Sequence, residues 1–287
     1  MKPEFTQVQA TLNIAGDRFE VRDWRAQLAE GTFRGGAEFD RQDGRWKFRT
    51  TFQEDHGRAE QFLTGLYGGK GEVAGALSLG GLLASQGEDP DDFWRNLDGD
   101  LKLAIKNGRV GSYTVLAKIL SLLNLTQALQ LKSPELGAEG MPFQSLTADI
   151  KIQHGIARTD NLIVDSRAMK VNAVGTVNLA ENSVDVKVAV MPFQTVDNVI
   201  SHIPLAGRLL AGKEKSLLVA YYQVSGSLQD PQVTSIPVQS VGRNVFGIFK
   251  NLLELPEVLT GPYEDLPPQS ALQSLTSREL KSEFQLH

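Results

Sequence analysis

The sequence predicts a mainly β protein with helical inserts, whose strands form an antiparallel meander. Two observations predict it. Apolar and polar residues alternate with a period of two in segment after segment of the 287-residue chain, which is the pattern of strands with one apolar face. Short glycine- or asparagine-containing turns separate these segments, and such short connections join antiparallel neighbours. The pattern is not that of a βαβ protein.

Six segments carry the alternation, and the clearest are the last two. The six are 7–14, 46–52, 101–105, 148–153, 169–179 and 184–190. The predicted tight turns are Ala15-Gly16-Asp17, Asp43-Gly44, Asn107-Gly108, His154-Gly155 and Glu181-Asn182. Polar stretches at 54–60 and 85–92 are candidate boundaries, and Asp91 or Asp92 is predicted to cap a short helix before Phe93.

Three segments have the i, i+3, i+4, i+7 spacing of an amphipathic helix. They lie within 112–131, at 196–203 and around 245–252, and Pro204 is expected to end or kink the second. Two interpretations are open. Such helices close the ends or one face of the sheet, or they contact a membrane surface or a lipid.

Composition and motifs exclude several classes of function. The net charge of −5 argues against a dedicated nucleic-acid-binding protein, and the absence of cysteine removes disulfides, thiolate metal sites and cysteine nucleophiles. Four widely spaced histidines form no metal or acid–base motif. We therefore predict no catalytic residue, no metal ligand, no cofactor and no enzyme activity. A pair of carboxylates distant in sequence, as in glycosidases, is a weaker alternative.

The sequence shows neither a signal-peptide h-region after Met1 nor an uninterrupted apolar run of about 20 residues. From this we expect no leader and no transmembrane anchor within the chain. The apolar strand faces admit two interpretations: an open face that holds acyl chains, or a face that packs against a second sheet or the helices.

Several stretches resemble the AsmA-like proteins of the Gram-negative cell envelope, and in particular their C-terminal AsmA-like domain. The resemblance covers roughly residues 5–255 and rests on the order and number of structural motifs. These are the glycine-rich strand pair 33–40 and the segments 97–101, 107–110, 116–125, 140–143, 145–150, 160–162, 222–228 and 230–233.

This resemblance implies a curved, open groove built from repeated β-strands, with amphipathic helices packed at its ends or on its face. It implies a groove that shields phospholipid acyl chains, as in the bridge-like lipid transfer proteins, and a periplasmic location with an inner-membrane anchor in the full-length pattern. We expect residues 1–60 to end an upstream repeat, 61–256 to form the AsmA-like C-terminal domain and 257–287 to form a flexible tail. One such module is too short to bridge two membranes.

The expected partners are phospholipid, the inner or outer membrane surface and an outer-membrane protein, and the expected role includes assembly of the outer membrane. A scaffold module that recruits an outer-membrane protein without carrying lipid is the alternative. The predicted groove-lining residues are Leu101, Leu103, Ile105, Ile150, Ile152, Val171, Ala173, Val184, Val186 and Val188. The predicted membrane- or partner-facing helix residues are Val245, Phe246, Ile248, Phe249 and Leu252.

Overall fold

The fold was analysed in a computed structural model. It describes residues 5–28, 30–42, 44–67, 73–111, 118, 140–192, 207–211 and 215–254. Residues Met1–Leu255 form one compact unit. Residues Pro256–His287 lie outside the described residues.

A single sheet of thirteen strands dominates the compact unit. The strands are β1 Thr6–Ala15, β2 Arg18–Leu28, β3 Gly31–Gln42, β4 Arg45–Arg58, β5 Val73–Gly87, β6 Asp98–Val110, β7 Met141–Gln153, β8 Ile156–Asp165, β9 Met169–Asn178, β10 Ser183–Pro192, β11 Gly207–Ala211, β12 Lys215–Ser227 and β13 Gln232–Ile236. Strands β1 to β10 follow one another in space as in sequence, and every neighbouring pair is antiparallel. Strand β12 pairs with β10, β11 and β13. The mainly β, antiparallel meander predicted from the sequence is confirmed.

Because the strands alternate in direction, their ends form two rims. One, the turn rim, carries the tight turns β1–β2, β3–β4, β7–β8 and β9–β10. Backbone hydrogen bonds tie successive turns of this rim together, for example from the Gly155 N–H to the Leu97 carbonyl (2.8 Å) and from the Leu179 N–H to the Gly155 carbonyl (2.9 Å). The opposite rim, the insert rim, is where the connections from β4 to β5, β6 to β7 and β10 to β11 leave the sheet.

Three helices interrupt the described strands: α1 Ala59–Tyr67 at the insert rim, α2 Pro90–Arg95 at the turn rim and α3 Arg243–Glu254 after the last strand. Helix α2 begins at Asp89, whose side chain accepts a hydrogen bond from the Asp92 N–H (2.8 Å), with Pro90 in the first turn. The predicted cap at Asp91 or Asp92 was therefore wrong by two or three residues. A proline is well suited to the first helical position, so the cap falls immediately before it.

All six predicted strands are present, and the helix predicted around 245–252 is α3. The helices predicted within 112–131 and at 196–203 lie outside the described residues, apart from Lys118. The predicted turn at Asn107-Gly108 was wrong: both residues lie inside β6, where Asn107 has a φ of 49° beside a register shift against β5. A bulge and a hairpin turn need the same left-handed backbone, and the local sequence does not distinguish them.

The polar stretch at 54–60, proposed as a boundary, is also regular structure. Strand β4 continues to Arg58 and pairs with β5, and α1 starts at Ala59.

Candidate functional site

The strand register creates one long apolar face, which we call the inner face. Directly opposed residues of antiparallel strands point to the same side of a sheet, so the face can be followed from strand to strand. It runs through Leu79, Leu103 and Ala148 on β5 to β7, where each residue opposes the next. On the later strands it runs through the opposed pairs Leu162–Ala173, Ala173–Val188 and Val188–Tyr222.

All ten predicted lining residues lie on the inner face. Leu146 of β7 joins the part of the face on β5 to β7 to the part on the later strands. It opposes Ile105 of β6 on one side and Val164 of β8 on the other. Five of the ten are buried: Ile105, Ile152, Val171, Ala173 and Val188. The other five are half-buried: Leu101, Leu103, Ile150, Val184 and Val186. Their shared face is a feature of the fold, whereas their contact with lipid stays a prediction.

Burial on the inner face is high in the middle of the sheet and low on the edge strand β1. Leu77 and Met169, beside the insert rim, are 2% and 0% exposed. Leu12 and Ile14, near the turn rim on the first strand, are 57% and 61% exposed. Strand β1 pairs with β2 alone among the described strands, so the sheet is open at this end. The curved, open groove implied by the family resemblance is confirmed, and its apolar lining is most exposed on β1, at the open edge of the sheet.

Aromatic side chains line the inner face of the first strands in two rows. The inner row joins Phe5, Trp24, Phe33 and Phe52, with Phe33 and Phe52 stacked at 5.6 Å between ring centroids. The row at the turn rim joins Phe39, Phe48, Phe93 and Trp94. Sequence reasoning identified Phe48 and Phe52 as strand residues but missed the rows, because ring contacts between strands depend on register.

One acidic side chain interrupts the apolar lining. Glu54 opposes Phe33 on β3 and Leu79 on β5, so it lies on the inner face, and it is 0% exposed. Neither carboxyl oxygen has a hydrogen-bond partner. Gly31 and Gly57 make room for this group, because a Cβ at either position would collide with its Oε1 atom.

The environment of Glu54 disfavours a negative charge. Burial, with a smaller contribution from the adjacent Asp55 carboxylate, raises the pKa of Glu54 to about 7. The neighbouring cations are engaged elsewhere: Arg34 pairs with Asp55, and Arg58 pairs with Glu60 (2.6 Å) and Glu30 (3.4 Å). Sequence reasoning missed Glu54 because it treated the surrounding polar residues as a boundary.

The opposite face of the sheet, the outer face, carries a separate apolar cluster where α3 packs. Phe249 of α3 is fully buried there, with its ring 5.8 Å from that of Tyr221, and Val245, Phe246 and Ile248 pack in the same cluster. The apolar side of α3 is therefore in contact with the sheet, and the side chain of Leu252 lies outside the described residues. A membrane or partner contact of this helix stays a prediction.

Within the described ranges, no three histidine, aspartate or glutamate side chains come together in a way that could hold a metal ion. In the same part of the chain, no helix has the length and apolar character needed to cross a membrane.

Comparison with known proteins places the chain in a family. A family model described as "YhdP protein" matches residues 2–233. The chain belongs to the YhdP family. This agrees with the AsmA-like resemblance found in the sequence motifs.

Among curated proteins, the YhdP-family chain is similar to the "Intermembrane phospholipid transporter YhdP" of Escherichia coli (strain K12). The two are 24% identical over 143 residues, which is 46% of this chain and 11% of that transporter. The chain therefore spans about a tenth of the length of this relative. No solved structure matches the chain.

Proposed function

We propose that the chain is a non-enzymatic segment of a lipid-transport groove, in which the inner face shields the acyl chains of phospholipid. The observation that carries the proposal is an apolar face that continues from strand to strand and stays partly exposed, for example at Leu101, Ile150 and Val186. Each methylene removed from water is worth about 0.8 kcal/mol, so a partly sheltered acyl chain gains several kcal/mol without any specific polar contact.

The dimensions fit a segment of a longer conduit. At about 4.8 Å per strand, the described sheet extends roughly 50 Å along the groove. Among the described strands β1 pairs with β2 alone, so its outer edge can continue into a further strand. We propose that the segment lies in the periplasm and supports phospholipid transport to, and assembly of, the outer membrane as part of a longer chain whose ends contact membrane surfaces.

The first test is native mass spectrometry of the purified chain after expression in bacteria, followed by lipid extraction. We expect co-purified phospholipid, and we expect Val186→Asp to remove it, because Val186 is half-buried on the inner face and a carboxylate there would oppose an acyl chain. Gln153→Asp is the matched control, because it adds the same charge at an exposed position of the outer face. Circular dichroism checks that both variants fold.

Lipid that is lost equally from both variants, or a wild-type chain that neither carries nor takes up labelled phospholipid, would contradict the proposal. In that case the alternative of a scaffold module becomes the better one. The exposed edge strand β1 is the feature that favours it, since an unpaired edge can recruit a partner protein by strand addition. Crosslinking from β1 to an outer-membrane protein, with no lipid bound, is the result expected for a scaffold.

A further inference from the structure

Glu54 is an unpaired polar group within an otherwise apolar lining. Buried carboxyl groups are usually hydrogen-bonded or paired with a cation, yet both oxygens of Glu54 lack a partner and the residue is fully buried. Its opposed neighbours, Phe33 and Leu79, are apolar. The charged groups of the adjoining elements are engaged with one another, Arg34 with Asp55 and Glu60 of α1 with Arg58.

Two hydroxyl groups on the inner face are engaged within the protein. The Thr50 hydroxyl, four residues along the same strand, donates to the Gly36 carbonyl (2.9 Å), and the Ser85 hydroxyl of β5 donates to the Phe93 carbonyl (2.7 Å). The carboxyl group of Glu54 therefore differs from these hydroxyls in keeping its hydrogen-bonding capacity unused. Gly31 and Gly57 leave the room that this carboxyl group occupies.

We propose that Glu54, as a neutral carboxylic acid, donates a hydrogen bond to the ester carbonyl oxygen of an acyl lipid bound on the inner face. This inference rests on the proposed function. The ester carbonyl is the polar group closest to the acyl chains of a glycerophospholipid, and it only accepts hydrogen bonds, so the protein must supply a donor. Backbone N–H groups in the interior of a sheet are already used in the ladders, which leaves side chains.

Access to Glu54 requires side chains to move, but not the backbone of the sheet. Phe52 is two residues along the same strand, on the same face, and is only half-buried, as is Phe62 of α1. Both pack between the apolar clusters on either side of Glu54. A lipid that displaces either ring would bring its ester carbonyl next to the Glu54 carboxyl group. Its acyl chain would then replace the apolar contacts that the ring had made.

The test compares two phospholipids that share head group and chain length but differ in linkage: one with ester-linked chains and one with ether-linked chains, which lack the carbonyl. Affinities of the full chain are measured by displacement of a fluorescent phospholipid at pH 6. We expect the ester lipid to bind about fivefold more tightly, which corresponds to about 1 kcal/mol for one hydrogen bond. Glu54→Leu should remove this preference, whereas Glu54→Gln should keep it, because the amide N–H also donates.

Thr50→Val is the matched control, since it removes an inner-face hydroxyl of the same strand that is already engaged, and it should leave the preference unchanged. Raising the pH to 9 ionises the carboxyl and removes its proton, so the wild type should lose the preference and Glu54→Gln should not. Equal preference in wild type and Glu54→Leu would overturn the inference while leaving the proposed function intact. Failure of the wild type to bind either lipid would instead refute the proposed function.

Discussion

Glu54 should make the stability of the protein depend on pH in a direction opposite to that of a paired carboxylate. Its pKa is raised from 4.5 to about 7 in the folded chain, chiefly because the carboxyl group is buried. Between these two values the unfolded chain has lost the proton while the folded chain retains it. The folded state therefore binds more protons, and the free energy of unfolding falls as the pH rises through this window.

The size of the effect follows from the shift. One unit of pKa corresponds to about 1.4 kcal/mol. The contribution of the Glu54 proton to the free energy of unfolding is therefore fully present below pH 4.5, and about 3 kcal/mol of it is lost once the pH exceeds 7. Replacement by a neutral side chain removes this dependence. At pH 8 we expect Glu54→Leu to be more stable than the wild type by about this amount, because it removes an ionised group that has no partner.

The assay is urea denaturation at a series of pH values from 4.5 to 8, followed by tryptophan fluorescence. Trp24, whose ring lies 4.9 Å from that of Phe33, reports on the region beside Glu54. The quantity compared is the difference between wild type and Glu54→Gln, in which contributions from other titrating groups cancel. A difference that stays constant over this range would refute the assignment of Glu54 as a buried, unpaired acid.

Two further predictions concern the helices α3 and α2. Phe249→Ala should lower the free energy of unfolding by about 3–5 kcal/mol in urea denaturation, because it leaves a cavity at a fully buried site between α3 and the outer face. A loss below about 1 kcal/mol would mean that α3 does not pack against the sheet through this side chain. Asp89→Ala should lower the free energy of unfolding by about 1 kcal/mol, because it removes the N-cap of α2, whereas Asp91→Ala should leave it nearly unchanged. A thermal melt in which Asp91→Ala is the more destabilising substitution would contradict the assigned cap.

The strands were predictable where one side of the sheet meets water, as in β7 at the exposed Asp149, Lys151 and Gln153, because alternation is then visible in the sequence. Strand β5 was harder to predict, because its sequence VAGALSLGGLLASQG has small or apolar residues on both faces. The alternation of apolar and polar residues is therefore not visible in it. The bulge at Asn107 was misassigned for a different reason: a single left-handed residue serves either a turn or a bulge, and only pairing with β5 distinguishes them.

The ten lining residues were predicted to share one face because the alternation fixes which residues of a strand lie together, and the register then joins the strands. The same alternation contained the signal for Glu54. Trp46, Phe48 and Phe52 occupy the even positions of β4, and continuing this parity by one step places Glu54 among them. The sequence could not indicate that the carboxyl lacks a partner, since that depends on side chains from β3, β5 and α1.

A groove that binds lipid only through apolar contact holds every acyl chain alike and lets it slide, because transfer free energy depends on area and not on position. A polar group at a fixed place changes this, since it favours one position of the ester linkage relative to the strands. An ionised group could not serve, because an unpaired charge among Phe33, Leu79 and Phe52 would be costly to bury. A carboxyl group held neutral by its surroundings meets both demands, at about 1 kcal/mol per hydrogen bond. That energy is large enough to order a lipid along the groove and small enough to let it move on.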